Sequence, residues 1–74
     1  MKQKILYVLS ENYPEIDFES SDELVDDGTL DSLTVVGIIS ALSAEFDVEL
    51  PYEEITPENF NSIDAITALF EKYV

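Results

Sequence analysis

The residues best suited to chemistry lie in one stretch, Asp26-Asp27-Gly28-Thr29-Leu30-Asp31-Ser32-Leu33. It sets a conformationally free glycine ahead of an acid and a serine, and both stand at the mouth of a long apolar segment. A hydroxyl so placed is expected to be exposed, because its neighbours still belong to a loop. If the apolar segment is a helix, its first turn offers free N–H groups and the positive end of a dipole. A phosphate ester on Ser32 would meet those donors even in an acidic chain. Asp31 would not favour that phosphate electrostatically; its expected roles are capping, loop shaping and contact with a basic modifying enzyme. The plainer reading of the same residues is that Asp31 or Ser32 simply caps a helix.

Other chemistry finds little support. Cysteine and histidine are both absent, so no thiolate nucleophile, Cys/His zinc site or imidazole base can be built. Asp26, Asp27 and Asp31 can be imagined as a carboxylate site, but nothing in the sequence fixes opposing carboxylates around a substrate. Asp22, Asp26 and Asp27 offer oxygen ligands, but the ordered calcium-loop pattern is missing and a solvated loop is the simpler use of them. No metal site is expected.

The elements that must position Ser32 follow from the apolar spacing. A first helix is expected from about Lys2 to Asn12, with Ile5, Leu6, Val8 and Leu9 as its apolar face and Tyr13-Pro14 as its end. From Pro14 to Asp31 the chain is polar and acidic, with Ile16, Phe18, Leu24, Val25 and Leu30 as pins holding a long loop to the core. Loops of that length in small domains often carry function. The second helix runs from Ser32 to Phe46. Its β-branched residues favour a strand locally, but its length and the stripe Val35, Ile38, Ile39, Leu42 and Phe46 are helical. Asp47 to Leu50 should form an extended exit, stopped by Pro51. Thr56-Pro57-Glu58 reads as a cap and first turn of a short helix reaching Phe60. Asn61, with Asp64 three residues on, reads as the cap of a last helix carrying Ile63, Ile66, Leu69, Phe70 and Tyr73. The expected fold is all-α, a four-helix bundle with three main helices, one short helix and a long first loop, over residues 1–74 as a single domain.

Composition narrows the partners. The chain has 74 residues, enough for one thin core and too few for a deep catalytic pocket with its own supporting shell. At 46% hydrophobic it is not a disordered tail. Seventeen acids oppose three lysines, a formal net charge of -14. That field repels nucleic acid and anionic membranes and steers partners with basic patches. The four tyrosines and four phenylalanines lack the basic neighbours of a nucleic-acid stacking surface, and core packing and loop anchoring are their expected uses; for Tyr52, after Pro51, a place near a partner surface stays open as well. The start, Met1-Lys2-Gln3-Lys4 and then Ile5 to Leu9, has the charge order of a secretion signal, but Ser10-Glu11-Asn12 ends the run without a cleavage pattern. No stretch has the length of a membrane span, so a cytoplasmic location is the expectation.

Taken together, Leu24, Asp26 and Gly28 before Asp31-Ser32-Leu33, a helix ending at Glu45-Phe46, then Val48-Glu49-Leu50-Pro51 and Phe60-x-Ser62-Ile63-x-x-Ile66, resemble the acyl carrier protein family, including its peptidyl and D-alanyl carriers. The resemblance covers nearly the whole chain. It implies that Ser32 receives a 4'-phosphopantetheine arm from coenzyme A through a phosphopantetheinyl transferase. The arm's terminal thiol would let a cysteine-free chain carry cargo as a thioester. Further implied partners are an acyl- or aminoacyl-activating ligase and a downstream acyltransferase, synthase or thioesterase. The chain would then be a stand-alone carrier and not an enzyme, monomeric so that its docking faces stay free, with Gly28, Asp31, Leu33 and Val36 supporting the motif or recognition. The alternative is an acidic, noncovalent interaction module of the same fold without an arm.

Two departures bear on cargo. Fatty acid carriers in this family bear several acids along the second helix, whereas this one has Thr34, Gly37, Ser43 and Ala44 there, with Glu45 the only acid between Ser32 and Phe46. Docking is therefore expected to rest on shape and apolar contact through Leu33, Val36 and Ser40. The spacing Gly28-Thr29-Leu30-Asp31-Ser32 has one residue more than in typical fatty acid carriers and resembles that of aminoacyl, peptidyl and D-alanyl carriers; Val25 stands where phenylalanine is common. Hydroxyacyl, aminoacyl and short acyl cargo all remain open.

Overall fold

A computed structural model describes all residues from Met1 to Val74. Helix α1 spans Lys2–Asn12, α2 Ser32–Phe46, α3 Pro57–Phe60 and α4 Ile63–Glu71, with a single 3-10 turn at Tyr52–Glu54. There is no sheet, and the expected bundle of three longer helices and one short one is present. No helix is long and apolar enough to cross a membrane.

α1 packs against both α2 and α4, and α3 sits on α4. Their shared core is Ile5, Val8 and Leu9 from α1, Val35, Ile38 and Leu42 from α2, Phe60 from α3, and Ile63, Ile66, Leu69 and Phe70 from α4. Three residues of the long loop, Phe18, Leu24 and Leu30, complete it and are almost fully buried. Those pins explain why a loop of this length stays ordered: each removes an apolar side chain from water, on the order of 2 kcal/mol apiece. Ile16 and Val25, expected as further pins, are only half-buried and pack on the edge of the core. Leu6, Ile39 and Phe46 likewise lie at the boundary of the apolar stripes. No cavity opens between the helices.

Three local expectations are corrected and a fourth is met in part. Asn61 does not cap α4. It has helical dihedrals (φ -73°, ψ -20°) and ends α3, while extended Ser62 (φ -146°, ψ 160°) takes the cap, its Oγ accepting the Ala65 N–H at 3.0 Å. A cap must have left the helix for its side chain to reach back into the first turn, and only Ser62 has done so. Tyr73 lies beyond the end of α4, and its hydroxyl donates to Glu54 Oε2 at 2.6 Å. Thr56 takes the cap position of α3, with Pro57 and Glu58 in the first turn as expected, but its side chain makes no cap bond; Asn59 donates instead from Nδ2 to the Glu54 carbonyl at 2.7 Å. Asp47 is left-handed (φ 54°) rather than extended, which turns the chain so that the Val48 N–H also returns to the Ser43 carbonyl at 3.0 Å and closes α2.

Gly37, which weakens α2 intrinsically, has a tertiary reason. A methyl group built there would collide with the hydroxyl of Tyr13, the residue that ends α1. The missing side chain lets the tyrosine lie across α2 where the two helices pack.

Candidate functional site

The loop ahead of α2 is folded by its own polar side chains. Asp27 accepts the Thr29 N–H at Oδ1 (2.9 Å) and the Ser21 hydroxyl at Oδ2 (2.9 Å). These donors, Thr29 first, hold its carboxyl below the usual aspartate value of 3.8. Gly28 turns the chain with φ +88° in open space, so it is needed for backbone freedom and not for room. Leu30 then enters the core, and its N–H returns to the Leu24 carbonyl at 2.9 Å. The next residue is Asp31, whose side chain caps α2 by accepting the Thr34 N–H at 2.8 Å. That bond is the main cause of the lowered pKa of Asp31. Of the two residues considered as caps, Asp31 therefore holds the position.

Ser32 is left free by this arrangement. It is exposed at the first position of α2, and its hydroxyl makes no hydrogen bond within the protein. With Asp31 already satisfying the turn, the serine oxygen has no capping task. Leu33 (83% exposed) and Val36 (58% exposed) stand beside it, three residues apart and hence neighbours on one flank of the helix. Of the site residues, Gly28 lies in the loop before α2, Asp31 caps the helix, and Ser32, Leu33 and Val36 lie in its first two turns.

Electrostatics sharpen the picture of α2. Lys2 pairs with Asp64 at 2.9 Å, Lys4 with Glu45 at 3.3 Å and Lys72 with Glu54 at 3.0 Å. Lys4 also lies over the Phe46 ring, 5.7 Å from its centre. All three lysines are engaged, so three of the seventeen side-chain carboxylates are paired and fourteen are not. The only acid within α2, Glu45, is one of the paired ones. What α2 offers a partner is therefore apolar and hydroxylic, while the unpaired negative charge lies elsewhere, much of it along the loop before Ser32. Tyr52, 87% exposed on the 3-10 turn, adds a further uncovered aromatic face.

The phosphopantetheine attachment site family matches residues 4–70, which include the whole of this loop and α2. The chain belongs to that family. The chain is 44% identical to aminoacyl carrier protein 2 of Bradyrhizobium diazoefficiens over 80% of its own length, and that match spans 65% of the relative, just under two thirds. It is 34% identical to the D-alanyl carrier protein of Streptococcus suis (89% of this chain, 85% of the relative) and 33% identical to the acyl carrier protein of Buchnera aphidicola (100% and 95%). No solved structure matches the chain. The carrier-family pattern thus leans to aminoacyl and D-alanyl carriers, in the direction that the loop spacing and the acid-poor α2 had indicated.

The residues present suit a covalently held phosphopantetheine arm. An exposed hydroxyl with no internal partner is available at Ser32, and of the first-turn N–H groups those of Thr34 and Val35 are taken by Asp31, which leaves the Ser32 and Leu33 N–H groups for a phosphodiester oxygen. Sequence reading missed the residue that anchors this carrier loop to the rest of the bundle. Asn61, from the α3–α4 junction, accepts the Val25 and Asp26 N–H groups at Oδ1 (2.9 and 3.1 Å) and donates to Asp26 Oδ2 (3.1 Å). Its partners are 35 and 36 residues away, and the only local signal was an asparagine between two helices, which reads first as a cap.

Proposed function

We propose that Ser32 is the attachment residue for 4'-phosphopantetheine and that the protein carries an aminoacyl or other short, activated acid to partner enzymes. The observation that carries this reading is the unengaged, exposed hydroxyl of Ser32 at the start of α2, inside the stretch that matches the attachment-site family. The arm, when attached, supplies the thiol that this chain lacks, and with it thioester carriage of an acid.

The chain's own residues have three tasks. Asp31 holds the first turn of α2 so that Ser32 faces solvent. The loop around Gly28 presents that turn to a modifying enzyme. Leu33 and Val36 give partners an apolar footing, while the unpaired carboxylates speed encounter with basic surfaces. Once docked, tethered cargo is present at high effective concentration in the partner's active site. A phosphopantetheinyl transferase, an acyl- or aminoacyl-activating ligase and a downstream acyltransferase, synthase or thioesterase are the partners this requires.

The test is incubation with coenzyme A and a broad-specificity phosphopantetheinyl transferase, followed by intact and peptide mass spectrometry. One arm on the Ser32 peptide, absent from Ser32→Ala, is the expected result. Folded protein that takes no arm, even from its native transferase, would leave the noncovalent interaction module as the better reading.

A further inference from the structure

We propose that Asn61 is a positioning residue for the loop that presents Ser32, and so for modification there; the second half rests on the carrier reading above. The loop has few other ties to the bundle. Besides its apolar pins, the long-range hydrogen bonds that reach it all end on one residue. The Leu24 N–H donates to the Asn61 carbonyl at 2.8 Å, the Val25 and Asp26 N–H groups to its Oδ1, and its Nδ2 donates to Asp26 Oδ2.

From there the path to the serine is short. The Leu24 carbonyl accepts the Leu30 N–H, Asp31 follows and caps α2, and Ser32 is the first residue of the helix. Asn61 itself is held in place because Phe60 before it is buried and Ser62 after it caps α4. The α3–α4 junction therefore fixes the Leu24–Asp26 stretch of the loop that leads to Ser32.

The chemistry is specific to a carboxamide. Two backbone N–H groups meet Oδ1, so the oxygen must lie on that side and the NH2 must face Asp26. An aspartate at position 61 would keep the acceptor but lose the donor, and would set two carboxylates face to face. Replacing Asp26 with asparagine in that background would restore a donor and remove one charge, recreating the pair with its roles exchanged.

The experiment compares wild type, Asn61→Asp, Asp26→Asn and the double variant, with Ile66→Val as a core change that removes none of the Asn61 hydrogen bonds. Steady-state modification by a phosphopantetheinyl transferase with coenzyme A gives KM and kcat for each carrier. Amide hydrogen exchange is followed at Leu24–Leu30 and, for reference, in α1. In Asn61→Asp, KM for the carrier should rise about tenfold with kcat little changed, and exchange should quicken in the loop but not in α1. The double variant should return KM to within about threefold of wild type. Ile66→Val should leave KM unmoved although it lowers stability.

A wild-type KM in Asn61→Asp, or a double variant no better than Asn61→Asp, overturns the proposal. Wild-type protein that takes no arm sinks the carrier reading instead, and the exchange comparison then decides by itself whether Asn61 holds the loop.

Discussion

Replacing Gly37 with alanine separates a local from a tertiary account of α2. Within a helix, alanine is better than glycine by roughly 0.5–1 kcal/mol, so on propensity alone Gly37→Ala stabilises the protein. The structure predicts the opposite. The new methyl group would overlap the Tyr13 hydroxyl, and the tyrosine, half-buried where α1 ends, must give way. Overpacking of this kind costs about 1–3 kcal/mol, so the net change is a loss of up to roughly 2 kcal/mol. In a Tyr13→Phe background the hydroxyl is gone and the ring carbon that bore it lies 3.4 Å from the methyl, an ordinary contact. There Gly37→Ala should stabilise by its full propensity gain. The coupling between the two sites is thus expected at about 1–3 kcal/mol. Thermal or urea denaturation followed by circular dichroism measures it, since 1 kcal/mol moves Tm by about 4–8 °C in a domain this small. If Gly37→Ala stabilises equally in both backgrounds, the close approach of Tyr13 to α2 is wrong.

Three further predictions concern other parts of the molecule. Leu33→Asp should leave Tm almost unchanged, because the side chain is already in water, yet should raise KM for transferase or loading enzyme; unchanged kinetics would remove α2 from the docking surface. Ser62→Ala should cost about 1 kcal/mol through loss of the α4 cap, read as a lower urea midpoint, whereas an equal loss on restoring the cap with Ser62→Asp would contradict that role. Asp27, Asp31 and Glu54 all have lowered pKa values, from Thr29, Thr34 and Tyr73 as their leading donors. Their contribution to stability is complete above the ordinary values of 3.8 for aspartate and 4.5 for glutamate and is lost as pH falls through the lower folded values. The Tm gap between wild type and the Asp27→Asn, Asp31→Asn, Glu54→Gln variant should accordingly narrow below about pH 4; a gap that does not change with pH would mean the charged forms are not what these donors favour.

Much of this protein was readable one segment at a time. The bounds of α1 and α2 follow from apolar spacing together with Tyr13-Pro14 and the Asp31 cap. Phe18, Leu24 and Leu30 announce themselves as isolated apolar residues in an acidic stretch. Gly28, Asp31 and Ser32 form a local pattern whose geometry depends on little beyond the start of one helix. Net charge, and the lack of any thiol or imidazole, are properties of composition and need no fold.

Tertiary structure decided the features that depend on partners far along the chain. Asn61 and Ser62 are both good caps, and only the contact with Val25 and Asp26 assigns the first to the loop and leaves the second to α4. Gly37 reads as a weakness in a helix until Tyr13 lies over it. Glu45 reads as a lone acid open to partners until Lys4 takes it, and Tyr73 reads as part of an apolar stripe until Glu54 draws it past the helix end. Backbone propensity and capping act over three or four residues, so sequence carries them directly. Which polar side chains pair across a bundle depends on how its helices are brought together, and that is determined only when the whole core has packed.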